Sequence, residues 1–103
     1  MPVVPTRVAM LSEAIHLTSG DRDKEYGPPH NNLSDCAALL TAYLQSKYDV
    51  ELTLSAEDVA WLNVLQKMAR TFSRVVKPDT YIDAAAYSAI AGECAQIDKE
   101  IIL

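Results

Sequence analysis

The chain has 103 residues, half of them hydrophobic and 22% charged, which fits one small globular domain over 1–103 with a modest core. A formal net charge of −5 and a pI near 4.8 exclude broad binding to duplex nucleic acid, whose affinity rests on clustered Lys and Arg, whereas a small phosphorylated ligand needs only a local basic patch. No apolar run approaches the roughly 18 residues of a membrane span, and Met1-Pro2-Val3-Val4-Pro5 lacks the charged start and apolar core of a signal peptide, so the expected location is the cytoplasm.

Residues 1–5 read as a flexible or extended arm. From Thr6 to Thr18 the apolar positions Val8, Leu11, Ile15 and Leu17 recur near helical spacing, with Thr6 as the expected cap and Gly20 as the stop. His16, among these apolar residues, reads as structural. Gly, Pro, Asp and Asn then crowd residues 20–32 into a structured loop. A second helix is expected from Asn32 or Ser34, whose side chains suit an N-terminus, through Leu39 and Tyr43 toward Tyr48. Asp49 to Thr53 is a connector.

Ser55-Ala56-Glu57-Asp58 has the form of a capping box with Asp in place of Glu or Gln. The stripe Trp61, Leu65, Met68, Phe72 and Val75 steps by four, three, four and three, keeping one face of the third helix apolar. Lys77-Pro78-Asp79 is the expected break, and Thr80-Tyr81-Ile82-Asp83 repeats the cap pattern before a fourth helix. Ala84, Ala85, Ala86, Ala89, Ala91 and Ala95 on that helix allow close approach of another, within the chain or across a subunit interface. The expected fold is therefore all-α, about four helices in a compact bundle. Cys36 and Cys94 have no metal-binding spacing and read as two buried thiols.

Three clusters carry candidate chemistry. On the third helix Asn63, Lys67, Arg70 and Arg74 follow at i+4, i+3 and i+4, a row that suits phosphate oxygens; the same row also suits a solvated face whose cations complement the helix dipole. Asp79, Asp83 and Tyr87 step by four, and two carboxylates with water can hold magnesium or manganese, although Asp83 also stands where a carboxylate caps a helix begun at Thr80. In the loop, Arg22 can reach a ligand and Tyr26 can stack on a base, with Asn32 beside them. His30 is a candidate acid or base. Asp21, Asp23 and Glu25 alternate like a calcium loop, but no acid stands at the twelfth position.

The order Gly20-Asp21-Arg22, Tyr26-Gly27-x-Pro29-x-x-Asn32, Glu57-Asp58-Val59-Ala60, Lys67-x-x-Arg70 and Asp79-x-x-x-Asp83-x-x-x-Tyr87 resembles a family of small, uncharacterised phage and prophage proteins over roughly residues 10 to 95. That resemblance implies a helical protein without an established activity. The shorter pattern is similar to nucleotide-modification-associated phage domains, and more distantly to all-α, MazG-type nucleoside triphosphate pyrophosphatases, which hold magnesium on helix-borne acids. The paired ExxE and ExxD of those enzymes are absent, and Leu33 and Leu40 stand where an aromatic and Trp are expected.

Two functional readings follow. In one, a phage-encoded protein of the host cytoplasm binds a nucleotide, either as an accessory of nucleotide metabolism or as a metal-dependent phosphohydrolase. Lys67 and Arg70 take phosphates, Tyr26 or Tyr87 meets the base or sugar, and Asp79 with Asp83 holds magnesium or manganese. In the other, the chain is a helical interaction module for a host or phage protein, and Lys67 and Arg70 pair with the two aspartates to lock the bundle. Either way a homo-oligomer is expected, a dimer first, because so small a bundle cannot hide Trp61, Phe72, five tyrosines and an Ala-rich helix.

Overall fold

The computed structural model describes residues 5–20 and 27–99. Among them are four helices and no strand: α1 (Thr6–Thr18), α2 (Pro29–Tyr48), α3 (Ala56–Arg70) and α4 (Pro78–Asp98). The all-α expectation holds. Residues 1–4 of the expected arm lie outside the described residues.

Helix starts depart from the expected caps for one recurring reason, proline. Pro5 rather than Thr6 is the N-cap of α1, and Thr6 is already helical. Helix α2 begins at Pro29 behind Pro28, ahead of Asn32 and Ser34, because proline's fixed φ and missing N–H suit a first helical turn. The same rule starts α4 at Pro78 with Lys77 as N-cap. Thr80 therefore lies inside the first turn, buried, and Asp83 is well within the helix, where it caps nothing. Helix α3 alone starts as the sequence proposes. The Ser55 hydroxyl accepts from Asp58 N–H at 3.2 Å, and an Asp58 carboxylate oxygen accepts from Ser55 N–H at 2.9 Å.

Helix ends follow local chemistry. Gly20 takes φ 88°, beyond the end of α1, and Asp49 ends α2 in the left-handed region at φ 51°, where a short polar side chain is tolerated. Helix α3 stops at Arg70, earlier than the expected break at Lys77. There Thr71, Phe72 and Ser73 N–H groups bond back only three residues, to Met68, Ala69 and Arg70 carbonyls, the tightening that finishes many helices. Phe72, Arg74 and Val75 thus lie beyond the helix.

Helix α4 is the centre: it touches all three others, most extensively α3, while α2 packs mainly on α3. Two side chains of α2 fasten the connector before α3, with Thr41 Oγ1 accepting from Leu54 N–H at 2.9 Å and Gln45 Nε2 donating to the Leu52 carbonyl at 2.7 Å. The buried apolar set among the described residues is Ala14, Ala37, Ala56, Val59, Ala60, Ile82, Ala86, Ala91 and Cys94. Six of these nine are alanine, each contributing only about 0.8 kcal/mol against about 1.5–3 kcal/mol for a buried Val, Leu or Ile, so helix proximity rather than bulk makes this core. One cluster joins Ala14 of α1 to Ile82 and Ala86 of α4, with Met10 against it. Cys94 is buried as expected, but Cys36 is exposed, and His16 is exposed rather than packed.

The apolar stripe of α3 does not face the bundle. Ala56, Val59 and Ala60 are buried, with Asn63 and Lys67 half-buried on the same side, whereas Trp61, Leu65 and Met68 are 44%, 55% and 54% exposed. At 100° per residue these three stand about opposite the buried face. The basic row is accordingly no solvated face at Asn63 and Lys67.

At the far end of the α3–α4 seam, Lys99 Nζ meets Glu57 Oε1 at 2.6 Å, and the Trp61 indole N–H donates to Glu57 Oε2 at 3.0 Å. Lys99 first, and then Trp61, hold the Glu57 carboxyl below its ordinary range, while Glu57 raises Lys99. A depressed carboxyl gives stability that is present above its unfolded pKa and lost as pH falls through the folded value. The melting temperature of Lys99→Met should therefore lie below that of the wild type near neutrality, and the gap should close as the pH falls through the acid range. Separately, Ser55→Ala should cost about 1 kcal/mol, read as a lower urea midpoint at unchanged slope.

Candidate functional site

Asp83 is where the candidate residues meet. It stands half-buried in α4, one turn and a half from the N-terminus, facing α3. Because Asn63 and Lys67 are one turn apart on the inward side of α3, the lysine reaches across the seam, and its Nζ lies 3.0 Å from Asp83 Oδ2. Their side chains are 14% and 32% exposed, so the pair is sheltered without being sealed.

Two depressions flank this pair. The first is a cleft of about 380 Å³. Leu17, Leu33, Val59 and Ile90 supply apolar walls from all four helices, and Asn32, Asn63, Asp83 and Tyr87 bring polar groups; Gly27 and Cys36 complete part of the rim. The second, about 530 Å³, lies over the turn between α3 and α4 and is lined by Arg70, Lys77, Asp79, Tyr81 and the hydroxyl residues Thr71, Ser73 and Thr80. Asp83 lines both.

The candidates are thus brought together in two groups joined at one residue. Asn32, Tyr87 and Asp83 share the cleft; Arg70, Asp79 and Asp83 share the second depression; Lys67 bonds Asp83 and lines neither. Arg22 and Tyr26 lie outside the described residues. Arg74, past the helix end, does not continue the row of Lys67 and Arg70. Asn63 enters the cleft as an amide rather than as part of a cationic row, and sequence reasoning gave it no separate role; its i−4 spacing from Lys67 was the available signal. His30 is not a free acid or base in a loop: its Nε2 lies 2.8 Å from Asp98 Oδ1, tying the start of α2 to the end of α4.

Among the described residues no three His, Cys, Asp or Glu side chains gather as a metal-binding group. Asp79 and Asp83 are one turn apart on α4, and Asp83 is engaged by Lys67; two carboxylates do not by themselves make a protein cage.

The pair's energy lies between two limits, about 0–1 kcal/mol for exposed ion pairs and about 3–5 kcal/mol when one partner of a buried pair is removed. Lys67→Met and Asp83→Asn should each destabilise by about 1–3 kcal/mol, and the double variant should cost clearly less than their sum. Chemical denaturation of all four proteins checks this; strict additivity would rule out the coupling.

The family model described as "Domain of unknown function (DUF6378)" matches residues 9–95, a span that includes every candidate residue. The "Gene 55 protein" of Mycobacterium phage D29 is 36% identical over 80 residues, 78% of this chain and 49% of that protein. The "Gene 55 protein" of Mycobacterium phage L5 is 34% identical over 83 residues, 81% of this chain and 50% of that protein. The chain spans about half the length of the curated relatives it matches. No solved structure matches.

Proposed function

The chain belongs to the DUF6378 family of domains of unknown function, with phage-encoded relatives, and from its own residues we propose that it binds a nucleotide. The observation that carries this reading is the pair of depressions joined at Asp83. The first has the volume and the mostly apolar lining, with a few convergent polar groups, of a small-molecule site. A planar base or a sugar suits its walls, with Asn32, Asn63 and the Tyr87 ring as partners. The second has the cations and hydroxyls that suit phosphate: Arg70 can offer a fork of N–H donors, and Lys67 is bound to Asp83, the residue common to both.

In this reading the Lys67–Asp83 pair is the resting state of the site. A phosphate competes for the ammonium, and a magnesium or manganese ion brought by the ligand competes for the carboxylate, with Asp79 as the second acid. Such an ion would polarise a phosphoryl oxygen. Lys67, Arg70 and Asn32 bind and orient. A phosphohydrolase is the enzymatic form of the same proposal; an accessory that only holds the nucleotide is the other.

A second reading has an observation of its own. Lys67 and Asp83 are already paired at 3.0 Å, which is what a lock within an interaction module for a host or phage protein requires. Ligand response separates the two. A thermal-shift series with ribo- and deoxynucleotides, with and without magnesium or manganese, should raise the melting temperature of the wild type. Arg70→Ala, whose side chain is exposed, should keep the ligand-free stability within about 0.5 kcal/mol of the wild type yet lose most of the shift. Lys67→Ala should lose it too, after correction for its lower starting point. No shift with any nucleotide, together with a Lys67→Ala protein that only melts earlier, would leave the pair as scaffolding.

A further inference from the structure

The start of α4 holds donors that the fold does not use. Its first turn opens onto the depression of about 530 Å³, lined there by Lys77, Asp79, Thr80 and Tyr81 and, from the end of α3, by Arg70 and Ser73. No side chain caps this turn. Pro78 has no N–H to offer, and Thr80 N–H is taken by the Lys77 carbonyl at 3.1 Å. The donor left over within the helix is Asp79 N–H, which stands too early to bond an intrahelical carbonyl.

Thr80 makes this turn more than a helix end. It is the one buried polar residue among the described residues, 7% exposed, and a buried hydroxyl without a hydrogen bond costs stability. Nearby hydroxyls are engaged, Thr71 Oγ1 donating to the Met68 carbonyl at 2.6 Å and Ser73 Oγ accepting from Val75 N–H at 3.2 Å, whereas no group among the described residues bonds Thr80 Oγ1. No fully enclosed side-chain oxygen among those residues is without a partner, so Thr80 Oγ1 reaches open space, and the space that Thr80 lines is this depression. We propose that the start of α4 seats a single phosphoryl group, held by Thr80 Oγ1 and Asp79 N–H and balanced by Arg70 and Lys77.

Charge and donor geometry favour that ligand. A helix N-terminus attracts an anion. Arg70 and Lys77 are exposed and have no ion-pair partner among the described residues, and their charges match the nearly two negative charges of a phosphate monoester at neutrality. Ser73 Oγ still has its proton to donate, so with Thr80 Oγ1 and Asp79 N–H there is a neutral donor for each terminal oxygen of a monoester. Asp83 has Lys67 as its partner at 3.0 Å, which leaves Asp79 as the opposing charge in the depression. Inorganic phosphate and the phosphate of a nucleotide share this chemistry. That the natural source is a nucleotide rests on the nucleotide reading, whereas the seat needs only the phosphate.

Amide NMR of the isotope-labelled chain at constant ionic strength tests the seat, with inorganic phosphate, adenosine monophosphate and adenosine as probes. Both phosphates should move the Asp79 and Thr80 signals saturably, and adenosine should not. Thr80→Val should weaken phosphate binding at least about tenfold, through loss of a hydrogen bond to a charged group, without lowering the ligand-free melting temperature, because no protein partner is lost. Thr80→Ser should retain binding, and Asp79→Asn should tighten it. Should Thr80→Val unfold, the wild-type signals and Asp79→Asn decide the matter. Signals at the start of α4 that stay still with both phosphates would overturn the proposal, as would a folded Thr80→Val protein that binds phosphate like the wild type. Movement of Asn63 and Tyr87 with the monophosphate while the start of α4 stays still would sink the seat and leave the nucleotide reading standing. Phosphate shifts at the start of α4 with a silent cleft across the nucleotide series would do the reverse.

Discussion

Close approach between α3 and α4 is the constraint on which the other features depend. The alanines at 56, 60 and 91 are buried, and side chains this small let two helices pack with little between them. The buried face that α3 gives to the bundle carries nothing larger than Val59 among its apolar side chains. Helix α3 is consequently turned with its small residues inward and its large ones outward, against the usual sense of an amphipathic helix. Long flexible side chains can still run along the edge of such a seam and bring a polar head to its rim. Lys67 does this, and it finds Asp83 there.

The polar links then fall where the seam opens. Lys67–Asp83 lies toward one end and Glu57–Lys99 toward the other, while His30–Asp98 draws the start of α2 to the end of α4. Each joins residues far apart in sequence, and each lies at least partly in reach of water. The more exposed Glu57–Lys99 pair contributes little net stability, and all three links fix how the helices lie against one another. Asp83, with one face to each depression, is the residue whose partner decides what the site can hold.

The same turn of α3 links the candidate ligand site to the exposed apolar face of that helix. If the inner side of the helix carries Asn63 and Lys67, the outer side must carry Trp61, Leu65 and Met68, because both sets are written into one helical repeat. A substitution that re-turned α3 to bury the stripe would move Lys67 away from Asp83. Site and surface are therefore two results of one packing decision, and neither can be altered by rotating this helix without altering the other.

Much of this was legible in the residues alone. Helical periodicity and Gly, Pro and Asn punctuation are local properties, and they set four helices, the end of α1 at Thr18, the Ser55–Asp58 capping box and the end of α2 at Tyr48. The likeness to small phage proteins was likewise carried by motif order, while the candidate residues Lys67, Arg70, Asp79, Asp83 and Tyr87 stood out by helical spacing and Asn32 by its polar loop. The proline starts of α2 and α4 were missed because Asn32 and Thr80 offered competing caps, although proline at a first helical position is also a local rule. What no local rule could supply is the direction each face points. Whether Trp61 or Lys67 turns inward depends on which helix packs against α3 and with which face: the alanines of α4 are visible in the sequence, but that they meet α3 is not, and the choice of Asp83 by Lys67 and the division of the site into two depressions are decided there, by tertiary contact.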